Sequence, residues 1–285
     1  MLNQIGDSIH YLPNQNDKER PTLGLVCGDQ YSLVIDSGNS VQHARDFLNE
    51  IEKLKVPPVK YLAITHAHWD HILGMNEFEA AAIIVNARTN EIIQDWRSLS
   101  FDDRSLQEYA DAKKMTSHCV ETIISEIPER DTFQLTSPDI IFEGSLRLDL
   151  GNKVCVLETI RSTHTDDSTI VYIPDEKVLF LGDSAYGTTE NSLYHFKQSL
   201  LLPMIEDIRK YDATHFLLGH ESICDAAEMD LYWKELISAS KAVTSASLEG
   251  AIAAFEADHD RKPNENELFF LKAFVNDQIL KSQSE

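Results

Sequence analysis

The chain has 285 residues, 42% of them hydrophobic, and a formal net charge of -22 at pH 7. That length suits one large domain or two modest ones; no apolar run approaches the ~20 residues that span a bilayer. The charge repels phosphate backbones and anionic membranes, which argues against nucleic-acid and membrane partners and leaves a small-molecule substrate.

The opening MLNQIGDSIHYLPNQ has neither the basic start nor the greasy stretch of a secretion signal, so a cytoplasmic location is expected. Further on, TLGLVCG (22–28) and YSLVIDSG (31–38) read as strands separated only by Asp29 and Gln30, hence a hairpin. Ser40 is placed to cap a helix with Val41, Ala44, Phe47, Leu48 and Ile51 along one side, stopped by Pro57 and Pro58. VKYLAIT (59–65) reads as a central strand, a brief helix is expected near 72–78, and AAIIVNA (81–87) is another strand. From Thr89 to about Ile127 the periodicity is helical with no strand, an insertion closed by Pro128. It caps a cleft, packs on the sheet or builds a homodimer contact.

Strands then return as FQLTSPDIIFEG, SLRLDLG and KVCVLETI, followed by a pair around the turn PDEK in STIVYIPDEKVLFLGDS. A helix is expected over about 196–210, then the strand ATHFLLGH (213–220), and from about Ala226 three helices, the last two separated at Pro263. Two blocks of strands with hairpins and helices outside predict a layered α/β domain rather than a doubly wound one. The expected organisation is one domain over 1–225, with its insertion at about 89–127, and a helical extension over 226–285 packed on it. Cys27, Cys119, Cys155 and Cys224 form no CxxC pair and are expected to be structural thiols.

One stretch has no structural reason to be so polar. THAHWDH, Thr65 to His71, follows a buried strand and carries His66, His68, Asp70 and His71. On extended backbone His66 and His68 point to one side, while Asp70 and His71 follow as the chain turns into a helix. One ion can take the first pair and a second ion the other. Imidazole and carboxylate suit zinc first, with manganese and iron as alternatives. The remaining ligands are expected from other strand ends. His164 follows an apolar strand in ETIRSTHTDDST, Asp183 ends VLFLGD, and His220 ends THFLLGH. A glycine before Asp183 and before His220 leaves room for close backbone approach.

With these positions in order, the chain resembles the metallo-β-lactamase superfamily over roughly residues 5–225: THAHWDH matches its HxHxDH signature without departure, and His164, Asp183 and His220 match its later His, Asp and His. The resemblance implies a four-layer αβ/βα sandwich, here with a helical insertion and C-terminal helices. It implies two divalent ions, one on His66, His68 and His164, the other on Asp70, His71 and His220, with Asp183 bridging. Asp70 would also orient the nucleophile or carry its proton. Classical β-lactamases of this superfamily have cysteine where Asp183 stands, and flavodiiron relatives replace the second histidine by glutamate, so neither branch fits.

The implied activity is dinuclear metal-dependent hydrolysis of a small ester, thioester or lactone by a metal-bridging hydroxide. The alternatives are a phosphodiesterase or a non-hydrolytic iron-dependent oxygenase of the same fold. Tyr186, three residues after Asp183, is a candidate donor to a substrate oxygen, as in lactone-cleaving relatives; its alternative is a loop tyrosine on the surface. Asp36, ending VIDSG, is expected to support the site or its turn. Trp69 either packs or walls the pocket, and Glu221 either orders His220 or starts a turn. His10, His43, His118, His195 and His259 fit no ligand pattern and are expected at the surface or in packing roles.

Overall fold

The computed structural model describes residues 1–112 and 114–284. The first sheet begins with β1 (Asn3–Ile5), β2 (Ile9–Leu12), β3 (Leu23–Cys27) and β4 (Ser32–Ile35), an antiparallel meander. Helix α1 (Val41–Ile51) then crosses over to β5 (Val59–Ala63), which lies parallel to β4. Ser40 caps α1 by accepting the His43 amide. After α2 (Trp69–Ile72), strand β6 (Ala82–Asn86) runs parallel to β5. Helices α3 (Ala87–Arg97), α4 (Asp103–Asp111) and α5 (Ser117–Glu126) lead to β7 (Ile140–Phe142), parallel to β6.

The second sheet repeats the plan. Strands β8 (Ser145–Asp149), β9 (Val154–Thr159), β10 (Thr169–Ile173) and β11 (Val178–Gly182) form an antiparallel meander. A small hairpin, β12 (Thr188–Glu190) and β13 (Leu193–His195), and α6 (Gln198–Ile208) cross over to β14 (His215–Leu218), parallel to β11. The short β15 (Cys224–Asp225) completes the sheet, and α7 (Ala226–Ala242), α8 (Leu248–His259) and α9 (Glu265–Ser284) follow.

Side-chain alternation makes the layers. In β3 to β6, Val26, Leu33, Ile35, Ala63 and Ile84 face the other sheet, where they meet Cys155, Leu157, Val171, Phe180 and Leu217. The residues between them, Leu25, Val34, Leu62 and Ile83, face outward under α1 and α3–α5. On the far side Ile170, Leu179 and Phe216 pack with Trp233, Phe255 and Phe274 from α7–α9. The result is helices, sheet, sheet, helices, a mixed α/β sandwich with nine α-helices among the described residues. None of them is long and apolar enough to cross a membrane.

Several local expectations change. Strands β1, β2, β12, β13 and β15 have no clear apolar alternation and were not legible. The helix expected near 72–78 is one α-turn at Trp69–Ile72 and one 3-10 turn at Met75–Phe78, so Asp70 and His71 lie inside a helix rather than before it. FQLTSPDIIFEG yields only a three-residue strand, preceded by Asp139 accepting the Ile83 amide with its side chain. In the insertion, Ile93, Leu106, Val120 and Ile123 are buried in the core outside the first sheet, the packing alternative.

Candidate metal centre

The THAHWDH loop starts where β5 ends, and both sheets hold it. The Thr65 carbonyl accepts the Thr169 amide of the second sheet at 2.7 Å. Asp36, just past β4, receives three hydrogen bonds at 2.8 Å, from the Thr65 amide, the Thr65 hydroxyl and His71 Nδ1. Its backbone takes the left-handed conformation (φ 61) that aims the carboxylate at the loop. A second buried carboxylate, Asp167, accepts the Ala67 amide at 2.7 Å, the Thr89 hydroxyl at 2.9 Å and the Thr165 hydroxyl at 2.6 Å. It joins the first histidine loop to the one that carries His164.

His66, His68 and His164 form one group whose ligand atoms lie within 4.8 Å of one another, and Asp70, His71, Asp183 and His220 form another. In the first, His164 Nδ1 donates to the Gly187 carbonyl at 2.5 Å, which leaves a lone pair on Nε2, 2.9 Å from His68 Nδ1. In the second, His71 donates from Nδ1 to Asp36, so Nε2 is the nitrogen that points inward, 3.4 Å from Asp70 and 3.5 Å from Asp183. His220 Nε2 lies 3.0 Å from Asp70 Oδ2 and 3.4 Å from Asp183 Oδ2. That same Asp183 oxygen is 3.6 Å from His164 and 4.0 Å from His66, so this carboxylate faces both groups. Gly219 permits the approach, because a Cβ there would run into the Asp183 carboxylate.

Three atoms test whether these residues suit cations. His66 Nε2, His71 Nε2 and Asp183 Oδ1 are buried with no hydrogen-bond partner among the described residues. Buried polar atoms are rarely left so, and here they converge as imidazole and carboxylate donors of the kind that bind divalent metals. The donor set therefore fits two such ions.

Electrostatics follow the same geometry. Burial, with the neighbouring His71 and His68, holds His66 well below the ordinary imidazole range. His68 is pushed down to about 4 by burial and then by His164. Burial also opposes charge on His71 and His220, but the carboxylates override it. Asp70, Asp36 and Asp183 raise His71 well above its usual value, and Asp183 and Asp70 push His220 up to about 10. Against burial, His71 and His220 keep Asp70 and Asp183 well below the usual carboxylate range.

The other candidates fall into place. Tyr186 is not a surface tyrosine: its phenol oxygen accepts the His220 amide at 3.3 Å, and burial, then the Asp183 charge, raises it well above the usual phenol value. Trp69 is half-buried against the outer core of the first sheet, and Glu221 is exposed. His43 and His195 are buried, the packing alternative. Sequence reading missed Asp167, the Gly187 carbonyl, and Asn14 and Asn16, whose side chains hold the His220 carbonyl at 2.9 and 3.0 Å. The cluster of Thr163, Thr165, Asp166, Asp167 and Ser168 around His164 was the one visible signal for Asp167, and it did not separate a loop brace from a solvated turn.

The sequence profile of the metallo-beta-lactamase superfamily matches residues 20–220, most of the chain and all seven candidate ligands. The chain belongs to the metallo-beta-lactamase superfamily. Among curated relatives, a linear primary-alkylsulfatase from Pseudomonas sp. (strain ATCC 19151) is 22% identical over 170 residues, covering 55% of this chain and 32% of the relative. An acyl-coenzyme A thioesterase of Gallus gallus is 33% identical over 86 residues, 28% of this chain and 31% of the relative. The chain thus spans about a third of the length of the curated relatives it matches.

Solved structures agree on the superfamily fold. A metallo-beta-lactamase from Pontibacter korlensis superposes with TM-score 0.55 at 17% identity, over 82% of this chain and 97% of that one. A stereoselective inverting sec-alkylsulfatase from Pseudomonas sp. superposes with TM-score 0.64 at 13% identity, over 98% of this chain and 50% of that one.

Proposed function

We propose that this chain is a hydrolase that holds two divalent cations, zinc first among them, and acts on a small ester, thioester or lactone. His66, His68 and His164 would hold one cation, Asp70, His71 and His220 the other, with Asp183 between them. One observation carries the reading: a single Asp183 oxygen lies 3.6 Å from His164 and 3.4 Å from His220, so one carboxylate addresses both groups. When bound, such a pair of ions supplies a Lewis acid and a water acidic enough to attack a carbonyl near neutral pH.

The chain's own residues do the rest. Asp70 borders the site through Oδ2, positioned to take the proton of the attacking water and pass it to the leaving group. The Tyr186 oxygen accepts the His220 amide, so its O–H is free to donate to the oxygen that gains charge in the transition state. No serine or cysteine nucleophile is required. The relatives support an ester-type substrate, one being named an alkylsulfatase and the other an acyl-coenzyme A thioesterase. The net charge of -22 favours a small molecule over nucleic acid or a membrane as partner. Residues 1–225 would form the hydrolase domain, and 226–285 an extension supplying one wall of it.

The test combines metal analysis with a panel of nitrophenyl esters, nitrophenyl phosphodiesters, thioesters and lactones assayed with added Zn²⁺ or Mn²⁺. Two ions per chain and turnover of a carboxylic ester, thioester or lactone are expected. Loss of a partner that merely orients a metal ligand costs 10–100-fold, so removal of a ligand itself, in His66→Ala or Asp183→Asn, should lower kcat/KM by more than about 100-fold. Unchanged activity in either variant would overturn the reading.

A further inference from the structure

A cleft of about 550 Å³ opens beside the metal centre. The end next to the metal centre is formed by Tyr186, Leu218 and Glu221, the residues that bracket His220 in space and sequence. Its walls are Tyr194 of β13, Met229 and Tyr232 of α7, and Phe269 and Phe270 of α9. The rings form a continuous surface: Tyr194 and Phe269 have centroids 5.4 Å apart, and Tyr232 and Phe270 5.6 Å. At the mouth, Leu231 is 57% and Phe269 49% exposed, two of the six large apolar side chains exposed among the described residues. Apolar surface in a concave site beside convergent polar groups is the usual form of a substrate pocket.

The cleft also has a sign. Its charged residues are Glu221, Glu228 and Glu235, and among the described residues no lysine or arginine lines it. Two of these carboxylates are held in place. Asn264 and Asn266 donate to Glu235 at 2.8 and 3.3 Å, and Glu228 accepts the Asp225 amide at 2.9 Å. Glu221 makes no hydrogen bond or ion pair among the described residues, and it is exposed at the end of the cleft next to His220.

We propose, on the basis of the hydrolase reading, that this cleft takes the hydrophobic arm of the substrate, an aliphatic or aromatic group that is neutral or positively charged, and rejects arms ending in an anion. Burial against the aromatic wall rewards length, each methylene being worth about a fourfold gain in binding. A negative group drawn in with it meets three carboxylates and no compensating cation. A carrier bearing phosphates, as coenzyme A does, would have to lie outside the cleft.

The test uses the zinc-loaded full chain and 4-nitrophenyl esters whose ten-carbon acyl arms end in methyl, trimethylammonium or carboxylate, with 4-nitrophenyl acetate for comparison. The methyl- and ammonium-ended esters are expected to exceed the carboxylate-ended one in kcat/KM by about tenfold or more. Phe269→Ala, at a half-exposed position outside the core, should lower the ratio of the methyl-ended ester to acetate.

Calorimetry with decyltrimethylammonium, which has no metal-coordinating group, reads the cleft without turnover; binding is expected, and Phe269→Ala should weaken it. A carboxylate-ended ester turned over as well as the others, no binding of the probe, or affinity untouched by Phe269→Ala overturns the assignment. If no ester is turned over while the probe binds in a Phe269-dependent way, the hydrolase reading falls and the cleft assignment stands.

Discussion

His43 lies on α1 with 1% of its surface exposed, and neither ring nitrogen has a hydrogen-bond partner among the described residues. Burial, followed by the charges of Arg20 and His71, pushes its pKa down to about 3, while Asp70 opposes the shift. The sign follows from linkage. In the unfolded chain the imidazole protonates near pH ~6.5, so between there and about 3 the unfolded state binds a proton that the folded state refuses. The stability from neutral His43 is complete above that range and declines as pH falls through it, by at most about 1.4 kcal/mol per pH unit. Urea unfolding at pH 7.0, 5.5 and 4.5 should therefore show a steeper acid loss in the wild type than in His43→Leu. Equal slopes would mean that His43 takes up its proton in the folded chain. Capping settles which of the two expected roles, surface or packing, this residue takes: Ser40 starts the helix so that His43, Ala44, Phe47 and Ile51 face inward, while Val41 and Leu48 sit at the margin.

Among the elements, the β12–β13 hairpin links the C-terminal helix to the candidate metal centre. Asp277 of α9, 3% exposed, contacts His195 Nδ1 at 3.3 Å and accepts the Gln198 amide at 3.1 Å and Lys281 Nζ at 2.6 Å. Asn276 donates to the Tyr194 carbonyl, and the Tyr194 hydroxyl accepts the Gly187 amide at 2.8 Å. The Gly187 carbonyl in turn orients His164. Asp277→Ala strands the buried His195 ring and should cost roughly 2–4 kcal/mol, measured by urea unfolding, whereas Lys281 can turn to water. A cost near zero would show that α9 is docked by its apolar face alone. None of this linkage was legible in the sequence, because the hairpin strands are three residues each and carry no apolar alternation. The strands buried on both faces were legible as apolar runs ended by glycine, and so were the candidate ligands that the fold gathers at their ends. The ties between ligand loops, such as Asp167 across 100 residues to Ala67, were not, since single-chain periodicity holds no record of partners so far apart.

At the scale of the whole molecule, both ligand groups span the two sheets. His66 and His68 extend from the first sheet and His164 from the second; Asp70 and His71 come from the first, Asp183 and His220 from the second. A cation in either group would therefore be a crosslink across one end of the sandwich, in a chain with a net charge of -22. Ligation should stabilise the fold in proportion to the logarithm of free metal, by ~2.7 kcal/mol at a hundredfold excess over Kd, or a melting rise of roughly 5–10 °C for a protein of this size. Removing metal with a chelator should reverse it. Sodium chloride also stabilises a strongly acidic chain, by screening its self-repulsion, but only when added in amounts that shorten the Debye length. Zinc in micromolar amounts leaves ionic strength unchanged, so a midpoint that climbs with micromolar zinc at fixed salt reports ligation and not screening. His164→Ala removes the second sheet's histidine from the first group, leaves Asp183 facing it and leaves the second group whole, so its zinc response should shrink without vanishing. A midpoint indifferent to both chelator and zinc would mean that the seven side chains close this end of the sandwich through hydrogen bonds alone.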